Sequence, residues 1–356
     1  MKKILKSEII GPFIAFLVVF LLACISTERF LVLSNLRNLV LQICVTAFLA
    51  VGATFVILTG GIDISCGSAV ALQTMLFATM IKSWGLSVWA GVVLLVFVGV
   101  IMGAFNGFLV SYLKIPAFIA TLSSQSMFRG LSYMINNGSA LQSLSTDTEK
   151  IFYTTVFGLP ITLIYIVVFF ALAHIFLTYT RSGRKIYAVG GNMEAAQLSG
   201  IHVKHTLMLT YSLAGMCTGI AAVLYACRLN SGSQNFGPGM EMSAIAAAVI
   251  GGTSMTGGKG KVVATLIGAG TVLIVQNVLN LNSISTAIQQ VVNGMMILLA
   301  VLLDVWRAPI GRIFGRGIAK AGINRAKEVN TYCGITVFEV WNLNCSADRK
   351  QTAIAV

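Results

Sequence analysis

The chain has 356 residues, of which 57% are hydrophobic and only 10% charged, with a formal net charge of +13. That composition lies outside the range of soluble globular domains and excludes an ordinary cytosolic enzyme. In so apolar a chain the basic excess reads as membrane orientation, not as nucleic-acid binding.

Taken in chain order, the apolar stretches predict helical spans near 9–25, 38–58, 67–82, 88–112, 118–136, 158–179, 206–227, 243–255, 262–281 and 286–304. Most match the roughly 20 residues that a hydrocarbon core requires. The expected fold class is all-α: a polytopic integral membrane protein of about ten transmembrane helices, some short or broken. The alternating segments of a transmembrane barrel are missing. The start, MKKILKSEIIGPFIAFLVVFLLACIS, has the basic head and apolar run of a signal peptide, but counts as helix one, since multispanning chains keep such a segment. The fifth and eighth spans are the weakest. With both termini cytoplasmic, eighteen Lys and Arg fall on inside segments, five outside, and Arg129 within a span, as orientation by positive charge requires. Residues 1–326 read as the transmembrane domain. Residues 327–356 have no long apolar run and read as a disordered cytoplasmic tail.

Between the second and third spans stands TGGIDISCGS, residues 59–68. Gly60, Gly61 and Gly67 permit backbone conformations that a helix interior does not, so the two spans are joined by a break near the cytoplasmic end. Asp63 and Ser65 suit the capping of exposed backbone donors at the start of the third span. Direct contact of Asp63 with a substrate is the rival reading. A weaker echo, IGGTSMTGGK, aligns Gly251, Gly252 and Gly258 with Gly60, Gly61 and Gly67 and raises an internal duplication.

The loop YTRSGRKIYAVGGNMEAAQLSGIHVKH, residues 179–205, separates the sixth and seventh spans. Asn192 suits an N-cap, Glu194 the positive end of a helix, Ala195 and Ala196 its body, and Gly200 its stop. Gly190 and Gly191 would turn the chain ahead of it. A short capped helix on a membrane protein is something a partner can grip; a plain topology-setting basic loop is the alternative.

Several chemistries are excluded. GGTSMTGGKGK has Thr253 where a phosphate loop needs its first glycine and Gly260 where it needs Ser or Thr. His174, His202 and His205 have no metal or nucleophile partner spacing, and the seven cysteines, mostly inside apolar runs, show neither metal spacing nor a disulfide framework. Neither a catalytic residue nor a metal site is expected. Ion-coupled carriers place carboxylates deep in the membrane, and here only Asp63 qualifies, with Glu241 and Asp304 near span ends.

Four stretches in order, TGGIDISCGS, KIPAFIATLSSQSMFRG, GRKIYAVGGNMEAAQLSGI and GPGMEMSAIAAAVIGGTSMTGGKGKVVATLIGA, resemble the permease subunit of ribose-type bacterial ABC sugar importers, over roughly 35–305. Departures are local: Cys66 for a usual Val, Ile64 for a common Leu, and Ala264 for a usual glycine. The resemblance implies a bacterial inner-membrane importer subunit for ribose, a related monosaccharide or autoinducer-2. It implies a second permease chain, a periplasmic sugar-binding protein and a cytoplasmic ATPase that uses ATP and magnesium, with no cofactor on this chain. It also implies that Gly191, Asn192, Glu194, Ala195, Ala196 and Gly200 form the coupling helix that the ATPase holds. A self-contained secondary carrier or channel is the alternative, and a membrane-embedded enzyme lacks the residues.

A monosaccharide path needs amides and hydroxyls that bind weakly. Asn106, Gln125, Asn136, Gln276, Asn277, Asn280 and Asn293 are candidates, although each can equally tie helices together. Arg129 is a buried cation that needs a partner, for which Asp147 or Glu149 is the expectation.

Overall fold

The structure is a computed structural model that describes residues 9–156, 158–285 and 287–302. The predicted tail at 327–356 lies outside the described residues. The membrane-directed helices are α1 (Ile10–Ser26), α2 (Leu33–Leu58), α3 (Cys66–Lys82), α4 (Val88–Ser111) and α5 (Ala117–Met134). After a loop carrying α6 (Thr146–Tyr153) come α7 (Ile161–Tyr179), α8 (Arg181–Gly191), α9 (Met193–Leu198), α10 (Val203–Leu229), α11 (Met240–Ile250) and α12 (Val262–Leu281). A further apolar helix, α13, covers Ala287–Leu302. Each predicted span therefore falls on a helix, in the predicted order. Five of these helices, α2, α4, α7, α10 and α12, are long and apolar enough by themselves to cross a membrane.

Helix α2 is the centre of the bundle. Its second half is almost wholly apolar on every side, which only a surrounded helix tolerates, and every residue from Ala47 to Leu58 is buried. Helices α10, α11, α12 and α7 pack around it. Helix α4 instead turns one face to α10 and exposes Trp89, Val93, Phe97 and Ile101 on the other.

Lipid tails are as apolar as leucine, so packing rather than hydrophobic burial holds such helices together, and small residues decide how close they come. Gly99, Gly103 and Gly107 form a stripe on α4. A Cβ on Gly103 would stand 2.2 Å from the Tyr211 carbonyl oxygen on α10, and one on Gly215 would stand 2.2 Å from that of Gly99. The two backbones are in direct contact.

Two connections are broken rather than simply turned. Residues 59–65 form an irregular link between α2 and α3. On the other side of α3, residues 231–239 run along its flank: Gly232 lies against Thr74 and Gly237 against Gly67. Helix α11 follows this segment and has 11 residues, about 16 Å at 1.5 Å per residue, which is half a crossing. It ends at Ile250, five residues before the predicted boundary at 255, because the chain turns through Gly251 and left-handed Gly252 (φ 88°).

Candidate functional site

The α8–α9 unit begins with Thr180, whose hydroxyl accepts from the Gly183 amide at 3.0 Å. Helix α8 was not expected, because Gly190 and Gly191 read as a turn. Both are instead its last residues, and the turn falls at Asn192. Gly190 is there for space. A Cβ on it would stand 1.7 Å from the Leu58 carbonyl oxygen and 2.7 Å from the Gly258 amide nitrogen. That amide donates to the Leu58 carbonyl at 2.9 Å, and the Tyr187 hydroxyl donates to Gly260 at 2.8 Å. The end of α8 is thus locked between the end of α2 and the turn that follows α11.

From that anchor α9 projects outward. The Asn192 side chain accepts from the Ala195 amide at 2.9 Å, Glu194 lies in the first turn, and Gly200 closes the motif at φ 81°. Ala196 is buried against Val189 and Leu207. The remaining surface is open: Gly191, Asn192, Glu194 and Ala195 are exposed, and Leu198 is 89% exposed.

Seven residues beyond the contact of Gly190 with Leu58, the link ends in a polar knot. Asp63 Oδ1 accepts from the Ser65 amide at 2.8 Å and from its hydroxyl at 2.7 Å. Asn106 Nδ2 donates to the same hydroxyl at 2.8 Å. Asp63 thus closes an Asx-type turn onto Ser65, the residue at the N-cap of α3, and neither side chain makes the expected cap of the first-turn amides. Ser65 relays the carboxylate to α4 instead. Gly60 is left-handed (φ 78°) and Gly61 lies against the Tyr211 hydroxyl.

The echo at 251–258 does not share this conformation. Gly60 is left-handed and its counterpart Gly251 is right-handed (φ −63°). The two turns touch through Leu58 and Gly258, but they are not copies of one backbone shape.

Arg129 has a different partner from the one expected. Its Nη1 donates to the backbone carbonyls of Gln234 at 2.5 Å and Phe236 at 2.8 Å, and so holds the 231–239 segment against α5. Asp147 pairs with exposed Lys150 at 2.8 Å, and Glu149 accepts from Asn230 at 2.9 Å. Glu241 sits at the same crossing, with Oε2 against Gly67.

The candidate pathway amides separate into groups. Asn277 and Asn35 exchange two bonds, at 2.9 and 3.0 Å, and tie α12 to α2. Asn280 accepts from Gln289, and Asn136 donates to Ser139, both at 2.9 Å. Asn106 is buried in the Asp63 knot, and Gln125 is half-buried on α5. Only Gln276 and Asn293 face a sizeable cavity, of about 730 Å³, shared with Gln42, Gln290 and Arg228. The last three were not predicted; on their own spans they carry no signal beyond isolated polarity.

The described residues hold no cluster of three His, Cys, Asp or Glu that could bind a metal. With five helices long and apolar enough to cross a membrane, the bundle has the architecture of a polytopic membrane protein. The family described as "Branched-chain amino acid transport system / permease component" matches residues 35–301. The chain belongs to this permease family, in the ribose-type branch that its motifs resemble. The ribose import permease protein RbsC of Bacillus subtilis (strain 168) is 39% identical over 297 residues, covering 83% of this chain and 92% of that one. The D-allose transport system permease protein AlsC of Escherichia coli (strain K12) is 35% identical, covering 82% and 90%. The L-arabinose transport system permease protein AraH of the same strain is 34% identical, covering 83% and 90%. No solved structure matches the chain. The protein is thus a multi-pass permease of the bacterial inner membrane.

Proposed function

We propose that this chain is the translocation subunit of an ATP-driven importer for a monosaccharide, ribose or a sugar close to it. The observation that carries this reading is the likeness to ribose, allose and arabinose permeases across more than four-fifths of the chain. The chain performs no chemistry. ATP and magnesium are used by a separate cytoplasmic ATPase, and a periplasmic binding protein delivers the sugar. The distribution of Lys and Arg along the sequence favours both termini in the cytoplasm.

The geometry supports a mechanical role for α9. Its exposed Leu198 and Glu194 face a partner, the coupling cleft of the ATPase. Because Gly190 is wedged between Leu58 and Gly258, displacement of α9 reaches the 59–65 link and the turn after α11 together. A second permease chain completes the path. Helix α5 exposes Ser123 and Ser126 beside Ile119 and Leu122, a mixed face suited to a partner helix and a water-filled route rather than to lipid alone.

The test is uptake in proteoliposomes holding this chain, its ATPase and the binding protein, with radiolabelled ribose, allose and arabinose. Uptake should need internal-facing ATP and persist when the proton gradient is collapsed. Uptake without the ATPase that stops with the gradient would assign a secondary carrier instead.

A further inference from the structure

A cavity of about 850 Å³ lies behind α9, between the turn joining α4 to α5 and the linker that leads into α10. Lys114, His202, Lys204 and His205 line it, and no Asp or Glu does. The turn holds Lys114 at φ 56°, which Gly or Asn would adopt more easily. Lys204 extends over the Tyr112 ring, 5.5 Å from its centroid.

Two long helices begin at this cavity. Neither α5, after Pro116, nor α10, after His202, has a side-chain cap. Their first-turn amides are the orphan donors and the positive pole of each helix. The side chains add an independent sign. Ser111 and Tyr211, 4% and 1% exposed, also contribute to the wall, and their buried hydroxyls have no hydrogen-bond partner among the described residues. Ammonium, imidazole and amide groups can donate here; no Asp or Glu lines the cavity, and Asp63 lies beyond the wall, close enough to Tyr211 to act on it electrostatically.

We propose that this cavity binds a phosphate group, carried by a phospholipid head group or by a soluble phosphate ester. An anion with several acceptor oxygens can serve donors on both helices at once, as phosphates do at helix N-termini. The volume leaves room for a glycerol or a sugar beside the phosphate. Met193 and Gln197 of α9 form part of the wall, so an occupant braces the coupling helix from behind. The cytoplasmic placement of this face rests on the proposed function; the binding itself does not, and failure of sugar uptake would leave it standing.

The experiment uses the full-length protein. In neutral detergent, thermal unfolding is followed with inorganic phosphate, ribose 5-phosphate, or sodium chloride at matched ionic strength. In nanodiscs, phosphatidylcholine is compared with phosphatidylcholine plus phosphatidylglycerol. The expected result is a saturable rise of about 5 °C over the chloride or phosphatidylcholine control. The double variant Lys114→Gln, Lys204→Gln should weaken the effect at least tenfold, and Lys185→Gln, outside the cavity, should keep it. A rise in detergent assigns the soluble ester; a rise confined to phosphatidylglycerol assigns the lipid. Should the double variant lose its fold, Lys204→Gln alone provides the same comparison. No rise in either arm, or an equal rise in the cavity variants, overturns the proposal.

Discussion

Gly190 at the end of α8 lies against the carbonyl oxygen of Leu58 at the end of α2, so closely that a Cβ would stand 1.7 Å away. The obstacle is backbone, not a side chain that can swing aside. Gly190→Ala should therefore lower the stability of the permease by about 1–3 kcal/mol, the usual range for overpacking, and reduce transport further than stability alone explains. Gly191→Ala meets nothing within 4 Å and should leave the unfolding midpoint unchanged. Thermal unfolding and uptake measured on both variants check the pair.

Asp63 acts through the bonds that its Oδ1 accepts from the Ser65 amide and hydroxyl. Asparagine can supply the same acceptor. Asp63→Asn should keep most transport and stability, whereas Asp63→Ala should lose about 1 kcal/mol, the usual net worth of a hydrogen bond, together with transport. Equal loss in both variants would assign an ionised role to the carboxylate and revive direct sugar contact.

Asn192 caps α9 through the Ala195 amide. Asn192→Ala should fray this six-residue helix at a local cost of about 1 kcal/mol, with little change in the global unfolding midpoint. The measurement is sugar-stimulated ATP hydrolysis by the assembled transporter, which should fall. Asn192→Asp should restore it.

Arg129 clamps the carbonyls of Gln234 and Phe236. Losing hydrogen bonds from a charged donor costs about 1.5–3 kcal/mol, so Arg129→Ala should destabilise by that order and loosen the segment leading into α11. Asp147→Asn breaks only a pair with exposed Lys150 and should be silent. Cysteine accessibility at Asn235 reports on the segment directly, and should rise in the first variant alone.

Much of this was legible before any coordinates. The spans, the Asn192 cap and the Asp63 contact are local features, written in apolar runs and in polar residues beside helix starts. What escaped depended on distant backbone. Gly190 and Gly191 read as a turn because sequence does not distinguish a glycine needed for conformation from one needed for close approach. Arg129 was assigned acidic partners because the carbonyls it holds belong to every residue and leave no mark in composition. The end of α11 was placed five residues late because hydropathy, averaged over a window, does not register a stop at Gly251 and Gly252. The amides behaved as their chemistry allows, with Asn277 spent on Asn35 and Gln276 bonded to Ser243 and Asn293 at the edge of a cavity.

The central claim is that α9 receives the ATPase. The direct measurement places one cysteine by Glu194→Cys and another in the ATPase cleft, and follows cross-linking with and without nucleotide during ribose uptake. The account predicts a cross-link whose yield changes with nucleotide and whose formation arrests uptake. No cross-link, with uptake that continues in the absence of the ATPase, would contradict it.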